Sequence, residues 1–319
     1  MGIDVLGHQT TLREKLDFSG VGVHSGQPVN MTLLPADANT GILFSVISNP
    51  ETGDMVDLSA NLKMVGATDL CTVLGEMSGP HAATIEHLMA ALRALNVDNV
   101  IVELDANEVP VMDGSSIEFV NAIRSVGLTS LSATRCYIRV NKPVRVDMGA
   151  SWGEFVPYEG TRFEVEIDFE CEAIGRQIFA ADMTEEVFCT ELSRARTFGF
   201  MKDVERLWAA GFALGSSLEN SVVIGDDNRI INPEGLRYKD EFVRHKALDA
   251  VGDLALAGAP IIGCYRSYRG GHKLNSLVLQ ALLSDREAFD FVESPMSRPK
   301  VRHGELVAVS APSYAASFV

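Results

Sequence analysis

Residues 238–257 carry three side chains that could bind a metal ion together. His245, Asp249 and Asp253 follow one another at intervals of four residues, which places them in one stripe along an α-helix. An imidazole and a carboxylate at this spacing can reach one cation, as two histidines do in a helical zinc pair. The alternative is a solvated polar face, but the stripe has little of the Lys and Glu that usually cover such a face. The stripe is therefore a candidate metal site.

A second candidate ligand lies in the segment 84–95, which has the periodicity of a helix with Thr84 as its predicted N-cap. Its apolar positions recur at helical spacing and are Ile85, Leu88, Leu92 and Leu95. Glu86 and His87 fall in the first turn, off this stripe. Taken alone, they indicate an exposed helix start, where the helix dipole favours Glu. The alternative is a metal ligand with a carboxylate beside it.

The elements around these residues predict an α+β protein. Residues 1–60 have the pattern of short strands joined by turns, and His24 stands in a glycine-rich turn where it could line a site. Apolar and acidic residues alternate over 163–170, which predicts a half-buried antiparallel strand. The short polar connection at 129–134 is the best candidate for a domain boundary.

A weak internal repeat suggests how the two candidate helices could meet. Both halves of the chain begin with short strands, carry a helix with a histidine near its start, and continue into an apolar strand. A chain of 319 residues is expected to form about two domains, which we place at 1–130 and 135–319. Such a duplication would let the helices face each other, with His87 and His245 in the cleft between the domains.

Composition limits the classes of partner. A net charge of −16 argues against nucleic acid and anionic membrane as main partners. The five cysteines are far apart and form no CxxC pair, so neither a disulfide framework nor a thiolate zinc site is indicated. The N-terminus lacks the apolar core of a secretion signal, and no apolar run is long enough to span a bilayer. We therefore expect a cytoplasmic protein without stable membrane insertion, and a monomer, since no exposed heptad is visible.

A catalytic zinc ion needs three neutral or anionic protein ligands and one open position. His87, His245 and Asp249 supply two imidazoles and one carboxylate. Glu86 stands beside a ligand and could accept the proton of an attacking water.

Four more residues could complete a hydrolytic site. His272 could protonate a leaving nitrogen, and Asp253 could bond that imidazole and raise its pKa. Lys246 and the hydroxyl of Thr197 are candidates to stabilise an oxyanion. Together the residues predict a metal-assisted hydrolase of an amide or an ester.

Six segments resemble, in order, the motifs of the UDP-3-O-acyl-N-acetylglucosamine deacetylases, the zinc amidases that commit Gram-negative cells to lipid A synthesis. They are GVGVHSG (20–26), TIEHLMAAL (84–92), PVMDGSS (110–116), ARTFGFMKD (195–203), GLRYKDEFVRHKALDAVGD (235–253) and GGHKLNS (270–276). The resemblance covers nearly the whole chain, and the tail after Ser294 matches poorly.

The resemblance implies a role for each candidate residue. His87, His245 and Asp249 match the ligands of one catalytic zinc ion, and Glu86 matches the general base. His272 matches a general acid or electrostatic stabiliser, with Asp253 behind it. Thr197 matches the residue whose hydroxyl bonds the oxyanion. Lys246 matches a lysine that assists substrate binding and charge stabilisation.

The resemblance also implies how substrate is held. Phe198 matches an aromatic residue near the nucleotide or sugar, and an insert at about 200–225 matches a hydrophobic passage for the acyl chain. The apolar residues expected to line it are Val204, Leu207, Ala213, Leu214 and Val223. The implied fold is a pair of similar domains, each a mainly antiparallel sheet with helices on one face, and the helices of both domains meet at the site.

The implied reaction is hydrolysis of the N-acetyl group of UDP-3-O-(3-hydroxyacyl)-N-acetylglucosamine, with release of acetate. Two alternatives stay open. One is a metal-dependent amidohydrolase of another acylated sugar, and the other is a catalytically silent module that binds UDP-sugars or lipids.

Overall fold

The computed structural model describes residues 7–49 and 51–293, which form two α+β units. The tail after Ser294 lies outside these residues. The strands of the first half are β1 His8–Leu12, β2 Leu16–Val21, β3 Pro28–Pro35, β4 Ile42–Asn49, β5 Asp54–Ser59, β6 Val65–Ala67, β7 Val73–Gly75, β8 His81–Ala82, β9 Val100–Leu104 and β10 Leu128–Thr134. Its helices are α1 Glu86–Ala94 and α2 Ile117–Val126, with a 3-10 turn at Leu62–Met64.

The second half has the following elements. Its strands are β11 Cys136–Val140, β12 Val144–Met148, β13 Ser151–Val156, β14 Thr161–Asp168, β15 Arg176–Asp182, β16 Phe198–Phe200, β17 Val222–Ile224, β18 Ile261–Tyr268 and β19 Phe289–Glu293. Its helices are α3 Glu185–Val187, which continues as a π-helical turn over Phe188–Leu192, α4 Met201–Ala209, α5 Glu241–Leu254 with a 3-10 turn at Ala255–Ala257, and α6 His272–Ser284.

The main sheets of the two halves have the same strand order. The first runs β2-β3-β9-β4-β5, and the second contains β12-β13-β18-β14-β15, with β11 also paired to β18 and β19 paired to β11. In each sheet the central strand, β9 or β18, is antiparallel to one of these neighbours and parallel to the other. The α+β class with two similar, mainly antiparallel sheets is confirmed, and the internal repeat is visible as topology.

Buried apolar residues alternate with more exposed residues along the strands, so one face of each sheet is buried. In the first sheet Val100, Val102 and Leu104 of β9 point into the core, while the residues between them are more exposed. In β14, Phe163 and Val165 do the same. Helix α5 packs on β14 and β15, α6 packs on β12 and β13, and α1 packs on α5.

Three local predictions need correction. Thr84 does not cap α1, because its backbone has a positive φ of 57° and its hydroxyl donates to Glu108 Oε1 at 2.8 Å. The segment 129–134 is not a simple connection, since it belongs to β10, which pairs with β1. The predicted strand at 163–170 is β14, which is antiparallel to β15 but parallel to β18, because the chain reaches β18 through the crossover that contains α5.

Helices α1 and α5 touch through a glycine. A Cβ added to Gly252 of α5 would lie 2.0 Å from the backbone oxygen of Glu86, the first residue of α1. Only glycine therefore lets the start of α1 approach α5 so closely. Because α5 also packs on α6 and β14, it is buried on nearly all sides. The stripe of His245, Asp249 and Asp253 is buried with it, so the solvated-face alternative is wrong.

Candidate active site

A His–His–Asp cluster lies where α1 meets α5. One potential ligand atom from each of His87, His245 and Asp249 lies within 4.8 Å of the others. Asp249 Oδ1 is 3.3 Å from His245 Nε2 and 3.6 Å from His87 Nε2. All three side chains are buried. The exposed helix start that residues 84–95 suggested alone is therefore wrong, because the Gly252 contact places α1 against α5.

The cluster fits a cation. Asp249 Oδ1 is buried, and among the described residues it has no hydrogen-bond partner. A buried carboxylate oxygen without a hydrogen-bond partner lowers the stability of the folded protein unless a cation or a donor satisfies it. His245 Nδ1 lies 3.1 Å from the carbonyl oxygen of Ala195, so it donates there and leaves the Nε2 lone pair toward the cluster. Two imidazoles and one carboxylate are the donor set of a catalytic zinc site.

The protonation states also suit metal binding. Burial lowers the pKa of His245 to about 3, so this imidazole is neutral. Burial acts to raise the pKa of Asp249, but its interactions with His245 and with the Lys246 ammonium outweigh that effect and hold the pKa well below its usual range. Lys246 Nζ donates to Asp249 Oδ2 at 2.7 Å and leaves Oδ1 free. Metal ligands need a neutral imidazole and an ionised carboxylate, and both are present.

Glu86 opens α1 and points into the same cleft. It is buried, and its Oε2 accepts a hydrogen bond of 3.1 Å from the backbone N–H of Thr72. Its Oε1 lies 3.9 Å from His272 Nε2. Burial raises the pKa of Glu86, and the nearby charges of His272 and His87 partly offset that effect. A carboxylate with a raised pKa is a suitable proton acceptor near neutral pH.

His272 begins α6 on the other side of the cleft. Its Nδ1 donates to Asp253 Oδ2 at 2.9 Å, so Nε2 faces Glu86 and the cluster. Burial works to lower the pKa of His272, but the negative charges of Asp253 and Glu86 prevail and raise it to about 9. The imidazole is therefore protonated at neutral pH and can donate a proton from Nε2.

Thr197 and Phe198 enter the site at the start of β16. The backbone N–H of Thr197 donates to Gly114 O at 2.8 Å, which ties this segment to the PVMDGSS turn of the first half. The Phe198 ring packs edge-to-face on Phe242 and near His245, with centroids 4.9 and 6.2 Å apart. Both Thr197 and Phe198 line the cavity over the cluster.

A cavity of about 350 Å³ extends from the cluster into the 200–225 insert. The predicted passage residues that line it are Val204, Leu207, Ala213 and Val223, and Lys246 lies at its polar end. Leu214, the fifth residue predicted for the passage, does not line the cavity. Its side chain is 52% exposed, and its backbone N–H donates to His24 O at 3.1 Å. Leu214 therefore holds the insert against the first half instead of lining the cavity.

Sequence reasoning missed or left open several residues of this site. His24 lines the cavity wall, and its turn is fixed because the backbone N–H groups of His24 and Ser25 donate to Glu108 at 2.9 Å. Leu70 and Trp208 also line the cavity and carried no distinctive sequence signal. Thr72, which bonds both Glu86 and Asp253, was missed because its partners lie far away in the sequence.

The arrangement can hydrolyse an acyl bond. The His–His–Asp cluster could hold a cation, and Glu86, His272 and the Thr197 side chain lie around the same end of an apolar cavity. No helix within 7–49 and 51–293 combines the length and the hydropathy that a bilayer span requires.

Comparisons with known proteins agree on one family. A family model described as UDP-3-O-acyl N-acetylglycosamine deacetylase matches residues 9–284. Proteins named UDP-3-O-acyl-N-acetylglucosamine deacetylase from Brucella ovis, Brucella canis and Brucella suis are each 60% identical to the chain over 287 residues. Each match spans 90% of this chain and 99% of the relative.

Proposed function

This chain belongs to the UDP-3-O-acyl-N-acetylglucosamine deacetylase family, and we propose that His87, His245 and Asp249 bind its one catalytic zinc ion. The protein is a hydrolase that removes the N-acetyl group of a UDP-3-O-acyl-N-acetylglucosamine, a step of lipid A biosynthesis. The observation that carries the metal assignment is the buried Asp249 Oδ1, which has no hydrogen-bond partner among the described residues and lies between two imidazole Nε2 atoms.

The chemistry then divides among the residues of the cleft. When bound, zinc supplies Lewis-acid polarisation and lowers the pKa of a water toward ~7. Glu86 accepts the proton of the attacking water while the Thr72 N–H holds its Oε2 in place. Thr197 donates its hydroxyl to the acetamide oxygen as that oxygen becomes negative. His272 Nε2 gives its proton to the leaving amine as the C–N bond breaks, and Asp253 keeps Nδ1 protonated.

Substrate contacts follow the polarity of the cavity. Lys246 places a positive charge beside the cluster. In a chain of net charge −16, this ammonium balances the negative charge that develops on the substrate during the reaction or that its phosphates carry. Phe198 presents an aromatic face to the sugar or nucleotide. The apolar walls of the insert, including Val204, Leu207 and Val223, take the acyl chain.

The remaining proposals concern the whole chain. We propose two domains, 1–130 and 135–319, which correspond to the two repeats of strand order. The protein acts as a monomer in the cytoplasm on a small nucleotide-sugar. The site is complete within one chain, which supports a monomer.

The proposed function is tested by measuring acetate release from the UDP-acyl-sugar and from the same sugar without its acyl chain. We expect metal-dependent release from the first substrate and a large loss with the second. Full activity after thorough chelation would refute the zinc assignment, and equal activity on both substrates would refute the acyl passage.

A further inference from the structure

Thr72 bonds both Glu86, the proposed proton acceptor, and Asp253, the partner of the proposed proton donor His272. It immediately precedes β7 and is buried, with 2% of its surface exposed. Its backbone N–H donates to Glu86 Oε2 at 3.1 Å, and its hydroxyl donates to Asp253 Oδ1 at 2.6 Å. Its carbonyl accepts from Ile85 N–H, just before Glu86, at 3.4 Å. One residue thus contacts the start of α1 and a carboxylate of α5.

The carboxylate of Asp253 is satisfied on both oxygens. Oδ1 accepts from the Thr72 hydroxyl, while Oδ2 accepts from His272 Nδ1 at 2.9 Å and from Asn275 Nδ2 at 2.7 Å. Asn275 is itself fixed, since its Oδ1 accepts from the Tyr265 hydroxyl at 2.6 Å. With Oδ1 held by Thr72, rotation of the carboxylate about its C–C bond is blocked, and Oδ2 stays aimed at the imidazole.

We propose that Thr72 is a positioning residue that sets the orientation of the Asp253–His272 pair relative to Glu86. This inference rests on the roles proposed above for Glu86 and His272. The physical reason is that these side chains come from three elements, α1, α5 and α6, whose spacing must be held within a fraction of an ångström for proton transfer. Thr72 links α1 to α5, because its backbone N–H bonds Glu86 and its hydroxyl bonds Asp253.

The experiment compares Thr72→Val, which removes the hydroxyl at nearly constant volume, with Thr72→Ser, which keeps it. We expect Thr72→Val to lower kcat by about 10- to 100-fold, as loss of a supporting hydrogen bond to an active-site group typically does. KM and zinc affinity should change little, because Thr72 neither lines the cavity nor belongs to the His–His–Asp cluster. Thr72→Ser should restore most of kcat. Thr72→Ala serves as a second hydroxyl-free variant if Thr72→Val does not fold.

The matched control is Thr11→Val in β1. Thr11 is also buried, but its hydroxyl accepts from the Ala36 backbone N–H at 2.9 Å, a partner outside the proposed site. We expect Thr11→Val to lower the melting temperature while kcat stays at the wild-type value. For Thr72→Val, the fall in kcat should be larger than the change in its melting temperature can explain.

A double-mutant cycle with His272→Ala separates positioning from general support. If Thr72 acts through Asp253 and His272, Thr72→Val should cost much less in the His272→Ala background than in the wild type. Additive losses, wild-type kcat in Thr72→Val, or no rescue by Thr72→Ser would each overturn the inference. Absence of metal-dependent acetate release from the wild-type protein would instead refute the proposed function, so the two failures are distinguishable.

Discussion

Replacing Gly252 with alanine tests whether the contact between α1 and α5 sets the geometry of the metal site. The added Cβ would lie 2.0 Å from Glu86 O and 2.8 Å from the carbon of the same carbonyl. A relaxed carbon–oxygen contact needs about 3.3 Å, so the backbones must separate by roughly 1.3 Å. That movement carries Glu86 and His87 away from His245 and Asp249.

The size of the effect follows from this displacement. Metal sites keep ligand distances within about 0.2 Å, and a misplacement of about 1 Å can cost on the order of 10²-fold in rate. We therefore expect Gly252→Ala to weaken zinc binding by at least about 10-fold and to lower kcat/KM by on the order of 10²-fold. Overpacking costs about 1–3 kcal/mol, and the better helix propensity of alanine returns up to ~1 kcal/mol. The net loss of stability is about 0–3 kcal/mol.

Three measurements check the prediction: zinc affinity by competition with a chelating dye, kcat/KM by acetate release, and thermal unfolding. Gly79→Ala is the control, because its Cβ would meet nothing closer than Glu76 O at 3.9 Å. Wild-type zinc affinity and turnover in Gly252→Ala would show that this contact does not bring the two halves of the site together.

Three further predictions concern single groups. Glu86→Gln should lower kcat by on the order of 10²-fold, with zinc still bound by elemental analysis, and loss of zinc would contradict its role as base. The pH profile of kcat/KM should fall on the acid side as Glu86, whose pKa is raised by burial, takes up a proton. It should fall on the alkaline side as His272 loses its proton near its pKa of about 9, so a profile that stays flat above pH 9 would contradict its role as acid. Leu207→Arg places a charge in the apolar cavity and should raise KM for the acylated substrate roughly 10-fold or more, while zinc content and melting temperature stay near wild type.

The elements that local patterns specify were predictable from the sequence. The helix over 238–257 and the i, i+4 pair of His245 and Asp249 depend only on spacing along one element. The alternation over 163–170 likewise predicts β14, although not its parallel partner. The repeat could be suspected because both halves use the same order of strands and helix, and the structure shows it in the two sheets.

Features that depend on contacts between distant segments were less accessible. Glu86 and His87 have the local sequence of an exposed helix start, and contacts with distant segments, including the close approach at Gly252, bury them. The Thr84 backbone is held in a positive-φ turn by Glu108, which no capping rule anticipates. An apolar residue such as Leu214 fits a passage by composition, and only the fold shows that it lies outside the cavity lining.

We propose that deacetylation needs one zinc ion, held by His87, His245 and Asp249. The most direct measurement is a titration of the chelator-stripped protein with zinc while acetate release from the UDP-acyl-sugar is followed. We expect no activity without metal, a linear rise as zinc is added, and a plateau at one equivalent, with no recovery at that ratio in His245→Ala. Activity in the metal-free protein, or full recovery in His245→Ala at the same ratio, would contradict this proposal.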